Sequence, residues 1–333
     1  MNRAVSIASF AARYAALPRW ARIAAKCVAV LVLTYLFVAV ALFVLQRRLI
    51  FPAGRSEVRL TAAEFAGGRD LSDLTAKTAD GLTLHGWLGR APAEPERTAD
   101  RRAVLYFHGN GADRRLRLSD VDALNADGWD VVLFDYRGYG ENPGSPSEAG
   151  LRLDARAMWE ATRELGYSPD RIVLAGTSLG GGVATRLAAE LCDAGTPPAG
   201  LLLRSTFDSL TNAAANRFPW LPVRLLLRDR FESTAAAPRV VCPVFQAHGT
   251  ADRIVPERLG EALFAAFPDR SAGGTPKTWL SLPGVGHNGV RRQAGARFAD
   301  AESAFLKTVA GDDKPSGSAD AVGVPGEKSR FLD

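Results

Sequence analysis

From Ala103 onward the sequence alternates short apolar runs with amphipathic segments, and this alternation restricts the possible folds more than any other feature. The apolar runs are Val104–Phe107, Val131–Phe134, Ile172–Ala175, Leu201–Leu203, Val244–Ala247 and Trp279–Leu282. The segments with helical periodicity are Arg114–Ala126, Glu148–Leu165, Val183–Cys192, Glu257–Phe267 and Arg291–Val309. Strands that are apolar on both faces and are each followed by a helix predict an α/β fold, a mostly parallel sheet with helices on both faces.

Two segments depart from this alternation. The β-rich runs Leu74–Thr78 and Leu82–Leu88 are joined by Asp80-Gly81, which predicts a hairpin ahead of the parallel strands. Residues 206–238 interrupt the alternation, and we predict that they form a short insertion, called the cap below. The cap contains the bulky apolar stretch Phe218–Leu227. This stretch packs on the core, or it lines an acyl-chain pocket or dips into a bilayer.

Ahead of the α/β segment lies a long apolar run. Its nineteen residues Cys27–Leu45 carry no charge, and as a helix they span most of a hydrocarbon core of about 30 Å. We therefore predict a transmembrane signal-anchor helix over residues 27–46. The alternative is a cleaved signal peptide, since Ala39-Val-Ala41 resembles a cleavage site, but the apolar run continues past it. A buried core helix usually has a polar face, which this run lacks.

The positive charge is concentrated at the N-terminus. The net charge is +5, yet residues 1–48 hold seven of the 41 Lys and Arg and no acid, which leaves 34 basic and 36 acidic side chains elsewhere. The globular part therefore has no basic excess for phosphates, and no nucleic-acid partner is predicted. Lys and Arg within about 20 residues tie on the two sides of the apolar run, but the acid-free tail favours a cytoplasmic N-terminus and an extracytoplasmic domain.

Metal and redox chemistry find little support in the sequence. Three cysteines are too few for a disulfide framework, no CxxC or HExxH occurs, and there are only four histidines. We predict neither a metal nor a cofactor, and the sequence does not specify an oligomeric state.

A glycine-rich corner, Gly176-Thr-Ser-Leu-Gly-Gly-Gly182, follows one predicted strand and precedes a helix. A side chain at Gly176 or Gly180 would crowd so tight a corner, which pushes the Ser178 hydroxyl clear of the sheet. The N–H of Leu179 and the positive helix end point to where negative charge would develop. The alternative is an ordinary glycine-rich loop.

A serine hydroxyl needs a base to become a nucleophile. Of the four histidines, His287 alone follows the last predicted strand, within the glycine-rich loop Gly284–Gly289, and it is the predicted base. His108 and His248 each end a strand as His-Gly, and we expect them to hydrogen-bond to their local turns. His85 lies in the hairpin and is expected to be structural.

A base in turn needs a carboxylate that fixes its tautomer and stabilises the imidazolium. Asp252 follows the penultimate strand and is the predicted partner; Asp208, which follows an earlier strand, is its rival. Asp135 ends another strand and is expected to organise its loop. The chain order Ser178, Asp252, His287 is that of α/β-hydrolases.

Six motifs occur in a fixed order along roughly residues 49–310. They are Tyr106–Gly111, Phe134–Gly140, Gly144–Gly150, Gly176–Gly180, His248–Pro256 and Gly286-His287. With these motifs the chain resembles the membrane-anchored α/β-hydrolases of the Bem46/ABHD group. The resemblance implies that the loop after His-Gly supplies a second oxyanion donor, the backbone N–H of Asn110 beside that of Leu179. Glu141 stands where that group usually has a small residue.

The resemblance implies a serine hydrolase that cleaves carboxylic ester or thioester bonds of acyl or lipid-like substrates through an acyl-enzyme. A peptidase on the same fold is a second hypothesis, although the sequence offers no recognisable anchor for a peptide terminus. A non-catalytic, membrane-tethered binding protein is a third. Such proteins typically lose a member of the catalytic triad, whereas this sequence keeps all three candidates, Ser178, Asp252 and His287.

The predicted organisation follows the chain from its basic tail to its C-terminal tail, which is rich in Gly, Asp and Ser. The segments are a basic N-terminal tail at 1–26, a transmembrane helix at 27–46, an α/β-hydrolase domain at 49–310 with its cap, and a disordered tail at 311–333.

Overall fold

The computed structural model describes residues 14–52, 59–92, 101–111 and 113–311. Most of the predicted C-terminal tail, residues 312–333, and the first thirteen residues of the predicted basic tail lie outside the described residues.

A single sheet of eight strands organises the described part of the chain. The strands are β1 (Asp70–Lys77), β2 (Thr83–Arg90), β3 (Ala103–Phe107), β4 (Asp130–Phe134), β5 (Ile172–Thr177), β6 (Gly200–Arg204), β7 (Val244–Gly249) and β8 (Thr278–Leu282). Their spatial order is β1-β2-β4-β3-β5-β6-β7-β8; β2 is antiparallel to β1 and β4, and all other pairs are parallel. The predicted hairpin and the mostly parallel sheet are therefore confirmed.

Helices follow most of the strands. Among the described residues, the α-helices are α1 (Arg19–Ile50), α2 (Ala62–Phe65), α3 (Leu118–Ala126), α4 (Glu148–Glu164), α5 (Leu179–Asp193), α6 (Leu210–Arg217), α7 (Val223–Leu226), α8 (Ser233–Ala236), α9 (Glu257–Ala266), α10 (Val290–Ala294) and α11 (Ala296–Ala310). Short 3₁₀ helices span Arg114–Arg117, Pro169–Arg171 and Ala237–Arg239.

The two faces of the sheet carry separate hydrophobic cores because side chains alternate along each strand. In β3, Leu105 and Phe107 pack with α4 and α5, whereas Val104 and Tyr106 pack with α3 and α11. All of these strand residues are buried. This two-sided burial explains why the strands read as continuous apolar runs rather than as alternating ones.

The predicted single helix over Arg291–Val309 is wrong in one respect. The chain forms α10 and α11 there, separated by Gly295 with φ 52° and ψ −132°. This conformation favours glycine and lies far from helical geometry, so the helix breaks at that residue.

The N-terminal helix α1 has 32 residues and is the one described helix long and apolar enough to cross a membrane. It begins at Arg19, ahead of the predicted residue 27, and ends at Ile50, two residues before Pro52. No residue of its most apolar stretch is buried in the protein. Near its C-terminal end Gln46 is buried, and Arg47 pairs with Asp229 of the cap at 2.7 Å. The helix is thus fastened to the domain near its C-terminal end, while its most apolar stretch has no buried residue.

Gly180 allows the closest helix–strand contact beside the corner at Ser178. A methyl group at Gly180 would overlap the backbone carbonyls of Phe107 and His108, whereas one at Gly182 would lie 3.3 Å from the Phe207 ring. We therefore expect Gly180→Ala to lower the free energy of unfolding by about 3 kcal/mol. Gly182→Ala, its control in the same helix, gains helix propensity and should change stability by less than about 1 kcal/mol.

Chemical denaturation of the two full-length variants measures this difference. Equal stability of the two variants would contradict the role of Gly180 in this contact.

Candidate active site

The backbone at Ser178 has a conformation that is rare for residues other than glycine. Ser178 lies between β5 and α5 with φ 54° and ψ −116°, and its N–H donates to the carbonyl of Arg204 at 2.9 Å. Side chains on Gly176 or Gly180 would collide with neighbouring backbone. The glycines thus permit the sharp corner that presents the serine hydroxyl at the carboxyl edge of the sheet.

Two further side chains meet this hydroxyl in a hydrogen-bonded chain. The Oγ of Ser178 lies 3.1 Å from Nε2 of His287, and Nδ1 of His287 lies 2.6 Å from Oδ2 of Asp252. The three residues follow β5, β8 and β7, whose carboxyl ends lie at one edge of the sheet. The arrangement lets a proton pass from the hydroxyl to the imidazole while the carboxylate stabilises the imidazolium.

The carboxylate of Asp252 is held in its ionised form. Burial by itself would raise its pKa, but hydrogen bonds from His248 and His287 bring the pKa of Asp252 well below its ordinary value. Its Oδ1 also accepts the N–H groups of Ile254 and Val255, at 2.9 and 2.8 Å. The carboxylate therefore stays charged at neutral pH and has a fixed orientation toward His287.

Other predicted residues lie in local networks. Asp208 accepts hydrogen bonds from the N–H of Ser209 and from the side-chain amide of Asn212, at 2.6 and 2.5 Å, and no hydrogen bond joins it to His287. Asp135 is buried and binds the backbone N–H and the guanidinium of Arg114.

Among the remaining histidines, His85 and His108 lie outside the hydrogen-bonded chain of Ser178, His287 and Asp252, whereas Nε2 of His248 lies 3.3 Å from Oδ2 of Asp252. His108 contacts the carbonyl of Gly109 at 2.8 Å, and His248 contacts that of Val255 at 2.9 Å. The backbone of His85 hydrogen-bonds to Asn142.

The two expected oxyanion donors border the same cavity as Ser178. Within the described ranges, neither Leu179 nor Asn110 donates its backbone N–H to another protein group, so both remain available to a ligand. The side chain of Asn110 is engaged elsewhere: its amide donates to the carbonyl of Ile50 at the end of α1, and its oxygen accepts the Tyr139 hydroxyl at 2.5 Å.

Glu141, the departure from the family pattern, takes part in a structural ion pair. Its carboxylate binds the buried guanidinium of Arg114 at 2.5 and 2.9 Å, and Arg114 in turn binds Asp135. Glu141 does not border the cavity at Ser178.

A cavity of about 1440 Å³ begins at Ser178 and His287. Part of its wall is apolar and comes from α1 and the cap: Leu42, Phe43, Leu49, Ile50, Phe218, Leu221, Val223, Leu226 and Leu227. Within the apolar cap stretch, Val223 and Leu227 are buried, while Phe218 is partly exposed. The stretch therefore both packs on the protein and lines the cavity. We call this part of the wall the apolar end.

Arginines dominate the polar part of the cavity wall, which carries six of them and one carboxylate, that of Asp120. Burial would raise the pKa of Asp120, but the nearby guanidinium groups of Arg204 and Arg291 lower it to about 2. They bind its Oδ1 at 2.8 and 2.7 Å. Among the described residues, Arg253 and Arg292 have no ion-pair partner. The five arginines outside the cap outnumber Asp120 and give this part of the wall, which we call the arginine end, a net positive charge; they are Arg117, Arg204, Arg253, Arg291 and Arg292.

Arg204 and Ser205 were not predicted from the sequence as residues of this site. Arg204 is a buried charge directly after the apolar run Leu201–Leu203, and that position at a strand's carboxyl end was a usable signal. Ser205, with φ 47°, donates its hydroxyl to the carbonyl of His287 at 3.2 Å. Neither the positive φ of Ser205 nor the contribution of α1 to the cavity wall can be recognised from the sequence.

Comparison with known proteins places these observations in a family context. A family model described as the alpha/beta hydrolase fold matches residues 102–237. The uncharacterized protein Rv2307c of Mycobacterium tuberculosis is 40% identical over 272 residues, which cover 80% of this chain and 88% of that protein. The lysophosphatidylserine lipase ABHD12 of Danio rerio is 36% identical over 178 residues, which cover 48% of this chain and 46% of that protein.

Two solved structures share the architecture. The Pyrococcus furiosus esterase Pf2001 has a TM-score of 0.59 at 18% identity and covers 77% of this chain and 96% of its own. An alpha-beta hydrolase from Vibrio vulnificus has a TM-score of 0.62 at 22% identity and covers 78% and 92% of the two chains. At these identities the likeness concerns the fold.

Proposed function

Because the chain belongs to the α/β-hydrolase family, as a member of the ABHD type, we propose that it is a serine hydrolase that cleaves carboxylic ester or thioester bonds. The hydrogen-bonded chain from Ser178 through His287 to Asp252 carries the proposal. A hydroxyl, an imidazole and a carboxylate at these distances form the relay that activates a serine nucleophile.

The proposed reaction proceeds through an acyl-enzyme. Ser178 Oγ attacks the carbonyl carbon while Nε2 of His287 accepts the hydroxyl proton, and the N–H groups of Leu179 and Asn110 bind the oxyanion. His287 then protonates the departing alcohol or thiol. A water molecule then attacks the acyl-enzyme while His287 accepts its proton. His287 returns that proton to Oγ of Ser178 as the carboxylic acid leaves.

The cavity suggests an amphiphilic substrate. Its apolar end suits a hydrocarbon chain, and its arginine end suits an anionic group. The ABHD12 relative is named for lysophosphatidylserine, a lipid with an ester-linked acyl chain and an anionic head group. We propose a substrate of this class, an acyl ester with negative charge beyond the scissile bond.

Peptide hydrolysis is the second candidate, because an arginine end also suits a peptide carboxylate. The apolar end favours the acyl ester. A panel of esters, thioesters and aminoacyl amides separates the enzyme classes, and labelling by a fluorophosphonate probe separates an enzyme from a binding protein.

The proposed location is a membrane, with α1 as a single-pass anchor through residues 27–46 and the domain on the extracytoplasmic side. The exposed apolar surface of α1 supports the anchor. The acid-free N-terminal tail supports the orientation.

Loss of the nucleophile is the first test. Ser178→Ala should lower kcat for a p-nitrophenyl ester by on the order of 10⁶ and abolish fluorophosphonate labelling. The variant has no serine oxygen to which the acyl group of the ester or the phosphonyl group of the probe could bond. Ser168→Ala is the control. It also removes a serine hydroxyl, but at a position before β5 rather than after it, so this variant should retain activity. Near-normal turnover by Ser178→Ala would refute the assignment.

The choice between the two aspartates gives a second test. Asp252→Asn should lower kcat by about 10⁴, because an amide favours the wrong tautomer of His287. Asp208→Asn, the control, alters a carboxylate that binds Ser209 and Asn212 and should leave kcat within about threefold of wild type. Steady-state kinetics decide, and a larger loss in Asp208→Asn would reverse the assignment.

The arginine end gives a third test. The double variant R253Q/R292Q should raise KM for an anionic ester by about 3- to 10-fold at low salt, with a smaller effect at high salt, because exposed charges are screened. KM for a neutral ester should not change. The control R156Q/R186Q removes the same charge from α4 and α5, outside the cavity, and the same rise in both double variants would exclude local recognition.

A further inference from the structure

We propose that α1 forms one wall of the substrate site as well as the anchor, and that the acyl chain of a membrane lipid enters the cavity laterally, between α1 and the cap. This inference rests on the proposed function, since it states where the acyl substrate of that site comes from and what its chain contacts.

The first support is the side of α1 that borders the cavity. Leu42, Phe43, Gln46, Leu49 and Ile50 all line it, together with Ser178 and His287. The five helix positions are separated by one, three, three and one residues, which places them on a single face of the helix. The anchor therefore has one face toward the reacting serine, and its last two turns belong to the cavity wall.

The second support is the apolar tip of the cap. Phe218, Trp220 and Leu225 are 42%, 53% and 83% exposed, although large apolar side chains are normally buried. Arg217 and Arg224, both exposed, directly precede Phe218 and Leu225 in the sequence. Bulky apolar side chains with arginines at their margin are typical of surfaces that enter the boundary between lipid head groups and acyl chains.

The position of this tip along α1 is the third support. The Tyr35 hydroxyl donates to the carbonyl of Trp220 at 3.2 Å, and the two rings meet edge to face at 6.5 Å. Tyr35 precedes Arg47 by twelve residues, about 18 Å along a helix axis. The tip thus lies beside the uncharged part of α1, and a membrane that contains this part also receives the tip.

Polar contacts hold α1 and the cap in this arrangement. The buried amide of Gln46 donates to the carbonyl of Leu226 at 3.2 Å and accepts the N–H of Arg228 at 2.8 Å. The next residue of α1, Arg47, forms the ion pair with Asp229 of the cap. These contacts lie at the charged end of α1, so they hold the cap against the helix there and leave the apolar part of α1 free to enter the bilayer.

The physical consequence is a dry path. The side chains that α1 and the cap contribute to the cavity wall are largely apolar, and the same cavity reaches Ser178. A hydrocarbon chain that follows it leaves lipid for protein without entering water, whereas a soluble ester reaches the serine from the solvent side.

The test compares two tryptophan substitutions on neighbouring positions of full-length α1. Leu42→Trp enlarges a side chain of the cavity wall, whereas Val44→Trp places the same new side chain at a position that is 66% exposed and does not line the cavity. Each variant, in phosphatidylcholine vesicles, is assayed with an oleoyl lysophospholipid in the bilayer and with soluble p-nitrophenyl acetate. The ratio of lipid to acetate hydrolysis should fall by at least about tenfold in Leu42→Trp and should stay unchanged in Val44→Trp.

An unchanged ratio of lipid to acetate hydrolysis in Leu42→Trp overturns the inference, and so does an equal change of this ratio in Val44→Trp. The proposed function fails separately, through acetate hydrolysis that persists in Ser178→Ala.

A second measurement does not depend on the folding of Leu42→Trp. The difference in fluorescence between wild type and Trp220→Phe isolates the emission of Trp220 in vesicles. Lipids brominated on the acyl chain should quench this difference, because the tip contacts acyl chains. Quenching by aqueous iodide without quenching by the brominated lipids overturns lateral entry.

Discussion

The close contact between the start of α5 and the end of β3 is the constraint on which the site depends. Gly180 lets the helix approach the carbonyls of Phe107 and His108, so the corner at Ser178 can keep its positive φ. The same contact brings the loop that follows β3 beside the serine, so the two proposed oxyanion donors share one cavity. A looser contact would move the hydroxyl and the donors together, which explains why one short glycine-rich stretch determines so much of the geometry.

Much of this architecture could be predicted from sequence because local composition reports burial. Strands buried on both faces give unbroken apolar runs. The residues that follow parallel strands lie at one edge of the sheet, and this position is why Ser178 and His287 were predicted as site residues. Asp252 and Asp208 both met that criterion, and only the spatial structure separates their hydrogen-bond partners. The break at Gly295 and the ion pairs of Asp120 depend on long-range packing, which periodicity does not encode.

The cavity draws on three parts of the chain that the sequence presents as independent. The sheet edge supplies the hydroxyl and imidazole, the cap supplies bulky apolar side chains, and α1 supplies a helical face. Asn110 joins two of them, because its side chain binds the end of α1 while its backbone borders the serine. A change in the position of α1 would therefore also move the loop beside Ser178.

The place of Leu42 in the cavity wall also bears on processing. A signal peptidase that cut after Ala41 would make Leu42 the first residue of the mature protein, with a protonated α-amino group. That charge would lie at the apolar end of the cavity, where an isolated cation is costly to desolvate. Under the proposed function, the shortened protein would lose its tether and would carry an ammonium group where the hydrocarbon chain of the substrate is proposed to bind. On that proposal, retention of the whole helix and an intact pocket depend on each other.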